Sequence, residues 1–158
     1  MNELVCGSVG TGKTTYIRDV VRNRVNQNMN SMVLSNKVCK NLYWKDHSGL
    51  TLPVCESDLC LTNENNTPNT FAAYIVNRYL SRAGHSDDMC LVVDDFNFDC
   101  VNPDYKIEAY YNAITEICKV YKINTVFTYR CDEDKHSVSF GAVPNRLLKA
   151  ADKITILK

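Results

Sequence analysis

Two groups of residues in this chain carry the types and spacing needed to handle phosphate. The run GSVGTGKTT occupies residues 7–15, directly after the apolar stretch ELVC, and its spacing is G-x-x-x-x-G-K-T. Gly7, Gly10 and Gly12 let the backbone curl tightly, so that N–H groups of a loop containing Ser8, Val9 and Thr11 point inward at phosphate oxygens. Lys13 is placed to reach the β- and γ-phosphates, and the Thr14 hydroxyl to ligate Mg²⁺, with Thr15 beside it. A helix starting here adds the positive end of its dipole. The second group closes LVVDDFNF. Asp94 would hold Mg²⁺ through water, facing Thr14. Asp95 is the candidate general base, a role that needs hydrogen-bond reach to the attacking group. Thr128 and Arg130, in TVFTYR, are candidates to sense the terminal phosphate, and Arg130 could stabilise charge developing on its oxygens. Together these residues predict a site for ATP or GTP with Mg²⁺.

Such a site needs strands to present it, and the sequence supplies them. LVC reads as a buried strand, and TTYIRDVVRNRV places Ile17, Val20, Val21 and Val25 at helical spacing. SMVLS (31–35) reads as a strand. DHSGLTLPVCESD, with Gly49 and Pro53, reads as irregular, and LCLT (59–62) as a short strand. NENNTPN is turn-rich. Thr67 then caps a helix that opens at Pro68 and carries Phe71, Ile75, Val76, Tyr79 and Leu80 on one side. MCLVVDDF suits a central parallel strand. The clearest helix follows, with Ile107, Tyr110, Tyr111, Ile114, Ile117, Cys118 and Tyr121 in one apolar stripe that reads as core. INTVFTY is another buried strand, RCDEDKHSVS a solvated charged loop, VPNRLLKAA a short helix starting at Pro144, and DKITILK a last strand. Alternating strands and helices predict an α/β fold in three layers, with a mainly parallel sheet of about five strands and helices on both faces. Ligands bind such sheets at the carboxyl ends of the strands, where every residue singled out above falls.

The 158 residues suit one domain with a real core. The 18 basic and 18 acidic residues cancel, which gives no support to a generic electrostatic grip on nucleic acid but leaves room for a local basic groove. No apolar run approaches the roughly 18 residues of a membrane span. The N-terminus enters the first strand at once, leaving no room for a signal peptide. Eight cysteines could suggest a disulfide scaffold, but Cys6, Cys90 and Cys118 sit in apolar runs and no C-x-x-C pair occurs, so neither disulfides nor structural zinc are expected. His47, His85 and His136 are scattered and read as surface residues. A reducing, intracellular setting, the cytoplasm, fits this usage.

The chain resembles the RecA-like class of P-loop NTPases, which includes hexameric helicases, viral packaging ATPases and type II thymidine kinases. The likeness to thymidine kinases is the most detailed. ELVCGSVGTGKTTYIRDVVR resembles that family's opening strand, loop and helix. KNLY (40–43), HSG (47–49), DDFNF (94–98), and DED (132–134) followed by FGAVPN resemble its later motifs. The family, however, has a zinc lobe and a C-terminal lasso, and this chain stops at Lys158, before either could begin. Asp95 also stands where the class usually has glutamate. LVVDD with VPNRLLKAADKITILK resembles packaging ATPases and replicative helicase cores. VLSNKVCKNLY and NTPNTFAAYI resemble early motifs of small viral RNA helicases, although no glutamine follows the strand at 129. The resemblance implies an ATP-hydrolysing core acting on nucleic acid or within a larger assembly, completed by a second copy or a partner protein. A nucleoside kinase and a nucleotide-binding switch with little turnover are the alternatives.

Overall fold

The computed structural model describes residues 1–8, 10–35, 49–54, 66–83, 88–94, 102, 104–130 and 143–157, without the side chains of 82 and 83. Its elements are β1 (Asn2–Gly7), α1 (Lys13–Asn26), β2 (Ser31–Ser35), β3 (Thr51–Val54), α2 (Pro68–Ala83), β4 (Met89–Asp94), α3 (Ile107–Val120), β5 (Ile123–Arg130), α4 (Asn145–Ala150) and β6 (Lys153–Ile156). The strands form one six-stranded sheet in the order β3-β2-β4-β5-β1-β6, and each of its pairings is parallel.

Side chains on a strand alternate between faces, and here the alternation sorts the apolar residues into two cores. Leu4, Cys6, Met32, Leu34, Leu91, Val93, Ile123 and Phe127 pack with residues of α2, α3 and α4. Val5, Val33, Cys90, Val92 and Val126 pack with Ile17 and Val21 of α1. The result is three layers, with α1, among the described helices, on one face and α2, α3 and α4 on the other. Strands buried on both sides have no polar face to show, which is why they read as continuous apolar runs.

The helices follow their stripes. Thr67 and Thr70 bond reciprocally at the start of α2: Thr70 N–H donates to Thr67 Oγ1 at 3.3 Å, and Thr67 N–H to Thr70 Oγ1 at 2.9 Å. Phe71 of α2 meets Tyr110 of α3 edge-on, with ring centroids 5.4 Å apart. Burying a side chain of this size stabilises by about 1.5–3 kcal/mol.

Three expectations need correction. Among the described residues the sheet has six strands rather than about five. Thr51–Val54, within the stretch read as irregular, is a strand that, among the described residues, pairs with β2 alone. It lies at the sheet edge, where Pro53 is tolerated because only one flank needs N–H donors. The stripe of α3 does not extend to Tyr121, which is 40% exposed and caps the helix. Lys122 follows with φ 57, in the left-handed region, and swings the chain into β5. Finally, Pro144 is the N-cap of α4, whose first helical residue is Asn145. LCLT, KNLY, His47, His85, His136, DED and Cys39, Cys55, Cys60, Cys100 and Cys131 lie outside the described residues.

Cys6, Cys90 and Cys118 are buried. Burial pushes Cys90 up to about 11 and Cys118 to about 12, and the Tyr79 phenol to about 12. Each group is neutral in the fold and ionises more easily once unfolded. Their contribution to stability is therefore complete below pH 9.0, the ordinary thiol value. It is lost as pH rises through the folded values. Denaturant midpoints are expected to hold steady below about pH 9 and to fall between about pH 9 and 12. Peptide mapping after alkylation near pH 8 should find Cys90 and Cys118 protected in the native protein and labelled in denaturant. Labelling at the unfolded rate without denaturant would contradict this packing.

Among the described residues no helix is long and apolar enough to cross a membrane.

Candidate functional site

The parallel sheet brings the carboxyl ends of β1, β4 and β5 to one edge, with β5 between the other two. The glycine-rich loop leaves β1 at Gly7. Gly10 and Gly12 have φ of 79° and 92°, a region that glycine alone enters without steric cost. At Gly7 space is the constraint: a Cβ there would collide with Thr11 Oγ1 and press on the Leu157 carbonyl. The loop is braced from inside by Thr11 Oγ1, which donates to the Ser8 carbonyl at 2.8 Å. Lys13 Nζ arches back over it and donates to the carbonyls of Gly7 at 2.9 Å and Ser8 at 2.7 Å.

Gly12 caps α1 in the left-handed conformation, without a side-chain cap and with no acidic residue in the first turn. The first turn of any helix presents N–H groups that lack intrahelical acceptors. With Lys13 at the same place, this end of α1 is electropositive and suited to an anion. Thr15 is exposed on that turn.

Asp94 ends β4. It has the same parity as Cys90 and Val92, so its carboxylate lies on the α1 side of the sheet, where Thr14 is. Asp94 is fully buried and its two oxygens are held by two hydroxyls. Thr14 Oγ1 donates to Oδ2 at 3.2 Å, and Thr128 Oγ1 donates to Oδ1 at 3.0 Å. Ser35, at the end of β2, is buried and stands in register with Asp94. Arg130 is exposed at the end of β5, in register with Gly7.

A hydroxyl and a carboxylate in contact form a hard-oxygen pair, which fits Mg²⁺, an ion that takes few protein ligands and fills its shell with water and substrate phosphate. Among the described residues no three His, Cys, Asp or Glu side chains cluster as a metal cage. The pair fits a metal shared with a bound nucleotide better than one held by protein alone.

No protein-family model matches the chain, and no curated protein is significantly similar to it.

Of the residues singled out in the sequence, Gly7, Ser8, Gly10, Thr11, Gly12, Lys13 and Thr14 form one loop and helix start, and Asp94 reaches it through Thr14. Val9 and Asp95 lie outside the described residues. Sequence reasoning did not find what β6 and Thr128 do here. Leu157 N–H bonds the Cys6 carbonyl at 2.9 Å, so the segment after β6 buttresses the start of the loop. Glu3 of β1 accepts from Tyr16 of α1 at 2.6 Å and Thr155 of β6 at 2.7 Å, tying both elements to the strand that launches the loop. Burial and the Glu3 carboxylate raise the Tyr16 phenol above its usual value, which keeps it a donor. Parity with Val126 puts Thr128 on the α1 face, and the strand order then sets it beside Asp94.

Proposed function

We propose that this chain binds a nucleoside triphosphate, ATP or GTP, together with Mg²⁺ and hydrolyses it, as a P-loop NTPase core of the RecA-like type. The observation that carries the proposal is the contact between Thr14 at the mouth of the loop and Asp94 at the end of β4. A glycine-rich turn without a ligand has no need of a buried carboxylate there. In this reading the loop backbone from Gly7 to Thr15 and the start of α1 cradle the phosphates. Lys13 releases the carbonyls of Gly7 and Ser8 and turns to the β- and γ-phosphates. Thr14 and Asp94 hold Mg²⁺, which supplies charge neutralisation on the phosphoryl oxygens. Asp95, the adjacent carboxylate, takes a proton from the attacking water as the water oxygen bonds to Pγ and the bond from Pγ to the leaving nucleoside diphosphate breaks. Arg130 stands one strand from Gly7 and stabilises charge on the transferred group. We further propose an intracellular setting and a neighbouring copy or partner protein that completes the site.

The experiment is phosphate release from radiolabelled ATP, with and without single-stranded nucleic acid and with and without thymidine. Release stimulated by nucleic acid supports a motor core, label on thymidine supports a nucleoside kinase, and binding with neither supports a switch. Asp95→Asn is expected to leave nucleotide affinity unchanged and to lower release, because a base acts only as the reaction proceeds. Release at the parent rate would remove Asp95 from the mechanism and leave binding intact.

A further inference from the structure

We infer that Thr128 is a positioning residue that sets which oxygen of Asp94 faces Thr14, an inference that rests on the nucleotide and Mg²⁺ reading above. Asp94 is fully buried, so its carboxylate is oriented by protein donors rather than by bulk water. Thr128, itself 1% exposed, takes Oδ1 at 3.0 Å, and this leaves Oδ2 turned toward Thr14 at 3.2 Å. A carboxylate held at one oxygen only could rotate about its χ2 axis, a broad and soft torsion. Held at both, it presents one fixed lone pair toward the mouth of the loop.

Thr128 is in turn fixed from the opposite side of the sheet. The Tyr111 hydroxyl of α3 donates to the Thr128 carbonyl at 3.0 Å. The Tyr111 ring stacks on Phe127 at 5.0 Å and 18°, and meets Tyr129 at 6.1 Å and 64°. The residues before and after Thr128 are thus packed by a single tyrosine, which holds this point of β5 in place. The hydrogen bonds run from Tyr111 to Thr128, and from Thr128 and Thr14 to Asp94, so the position of α3 is linked to the orientation of the metal-binding carboxylate. Thr128 acts through Asp94, not on the nucleotide.

The test compares Thr128→Val, Thr128→Ser and the parent protein by nucleotide affinity in EDTA and across a Mg²⁺ titration, beside thermal midpoints. A hydrogen bond to a buried carboxylate is worth about tenfold or more in an equilibrium. Thr128→Val is expected to reduce the Mg²⁺-dependent gain in ATP affinity about tenfold and to leave affinity in EDTA unchanged, with Thr128→Ser close to the parent. If the valine variant does not fold, Thr128→Ala removes the same hydroxyl without crowding the carboxylate and is read in the same way. In an Asp94→Asn background the Thr128 substitution should add no further loss of the Mg²⁺ response. A Mg²⁺ gain as large in the variant lacking the hydroxyl as in the parent overturns the inference, as does a serine variant that loses as much as valine. A parent protein whose ATP affinity ignores Mg²⁺ would instead overturn the metal reading on which the inference rests.

Discussion

Replacing Lys13 with alanine is expected to weaken ATP binding roughly a hundredfold and to abolish turnover. An ammonium that makes charge-assisted bonds to phosphate oxygens contributes about 3 kcal/mol in all, which is close to two decades in affinity. The fold should survive the change. In the structure Lys13 Nζ bonds two loop carbonyls, Gly7 and Ser8, but the loop is also braced by Thr11 and by the packing of Gly7 beneath Leu157. The thermal midpoint is therefore expected to move little, with a loss of stability below about 1 kcal/mol for bonds at a partly exposed site. Titration of both proteins with ATP, read by calorimetry beside a thermal melt, checks the two halves together. Unchanged affinity would show that the glycine-rich run is not a phosphate loop.

Asp94→Asn is expected to remove most of the Mg²⁺-dependent gain in affinity and to leave metal-free binding as it was. The substitution keeps the shape of the side chain but removes the charge that the metal needs. An asparagine at 94 can still accept one threonine hydroxyl and donate to the other, because a hydroxyl rotates to serve as donor or acceptor. Both hydroxyl contacts, with Thr14 and with Thr128, can therefore persist, and the fold is expected to survive. The loss should appear as an ATP affinity about tenfold or more lower at saturating Mg²⁺, with the EDTA values superimposed. A variant that responds to Mg²⁺ like the parent would place the metal elsewhere.

Much of this site could be read from the sequence because its signals are local. The glycine spacing fixes the loop, and the apolar runs ending in Gly7 and Asp94 fix the strands that carry it. The stripe from Phe71 to Leu80 fixes α2 because helix periodicity needs only near neighbours along the chain. What the sequence hid is non-local. β3 owes its strand conformation to pairing with β2, and Pro53 argued against it in any local window. Arg24 bonds Ser31 Oγ at 2.9 Å and pairs with Asp88 at 3.1 Å, joining α1, β2 and the approach to β4 across a long stretch of sequence that no pattern announces. The Tyr79 hydroxyl bonds Asn30 and accepts from Cys90 N–H, which turns a stripe residue into a polar anchor at the far end of the sheet. Thr128 read from the sequence as a candidate to sense the terminal phosphate, and its bond to Asp94 arises only because β5 lies between β1 and β4. Strand order decides that contact, and no spacing within TVFTYR contains it. Tyr121 failed in the opposite direction: the periodicity continued, but the chain had to leave the helix to enter β5.

In the proposed function Gly7–Thr15 and Asp94 together bind a nucleoside triphosphate with Mg²⁺. Its most direct test is a calorimetric titration of the intact chain with ATP and with GTP, in EDTA and then in excess Mg²⁺. Saturable binding of at least one nucleotide is expected near one per chain, strengthened by Mg²⁺ about tenfold or more and lost with Lys13→Ala. Absence of binding of either nucleotide at millimolar concentration, with or without Mg²⁺, would contradict it.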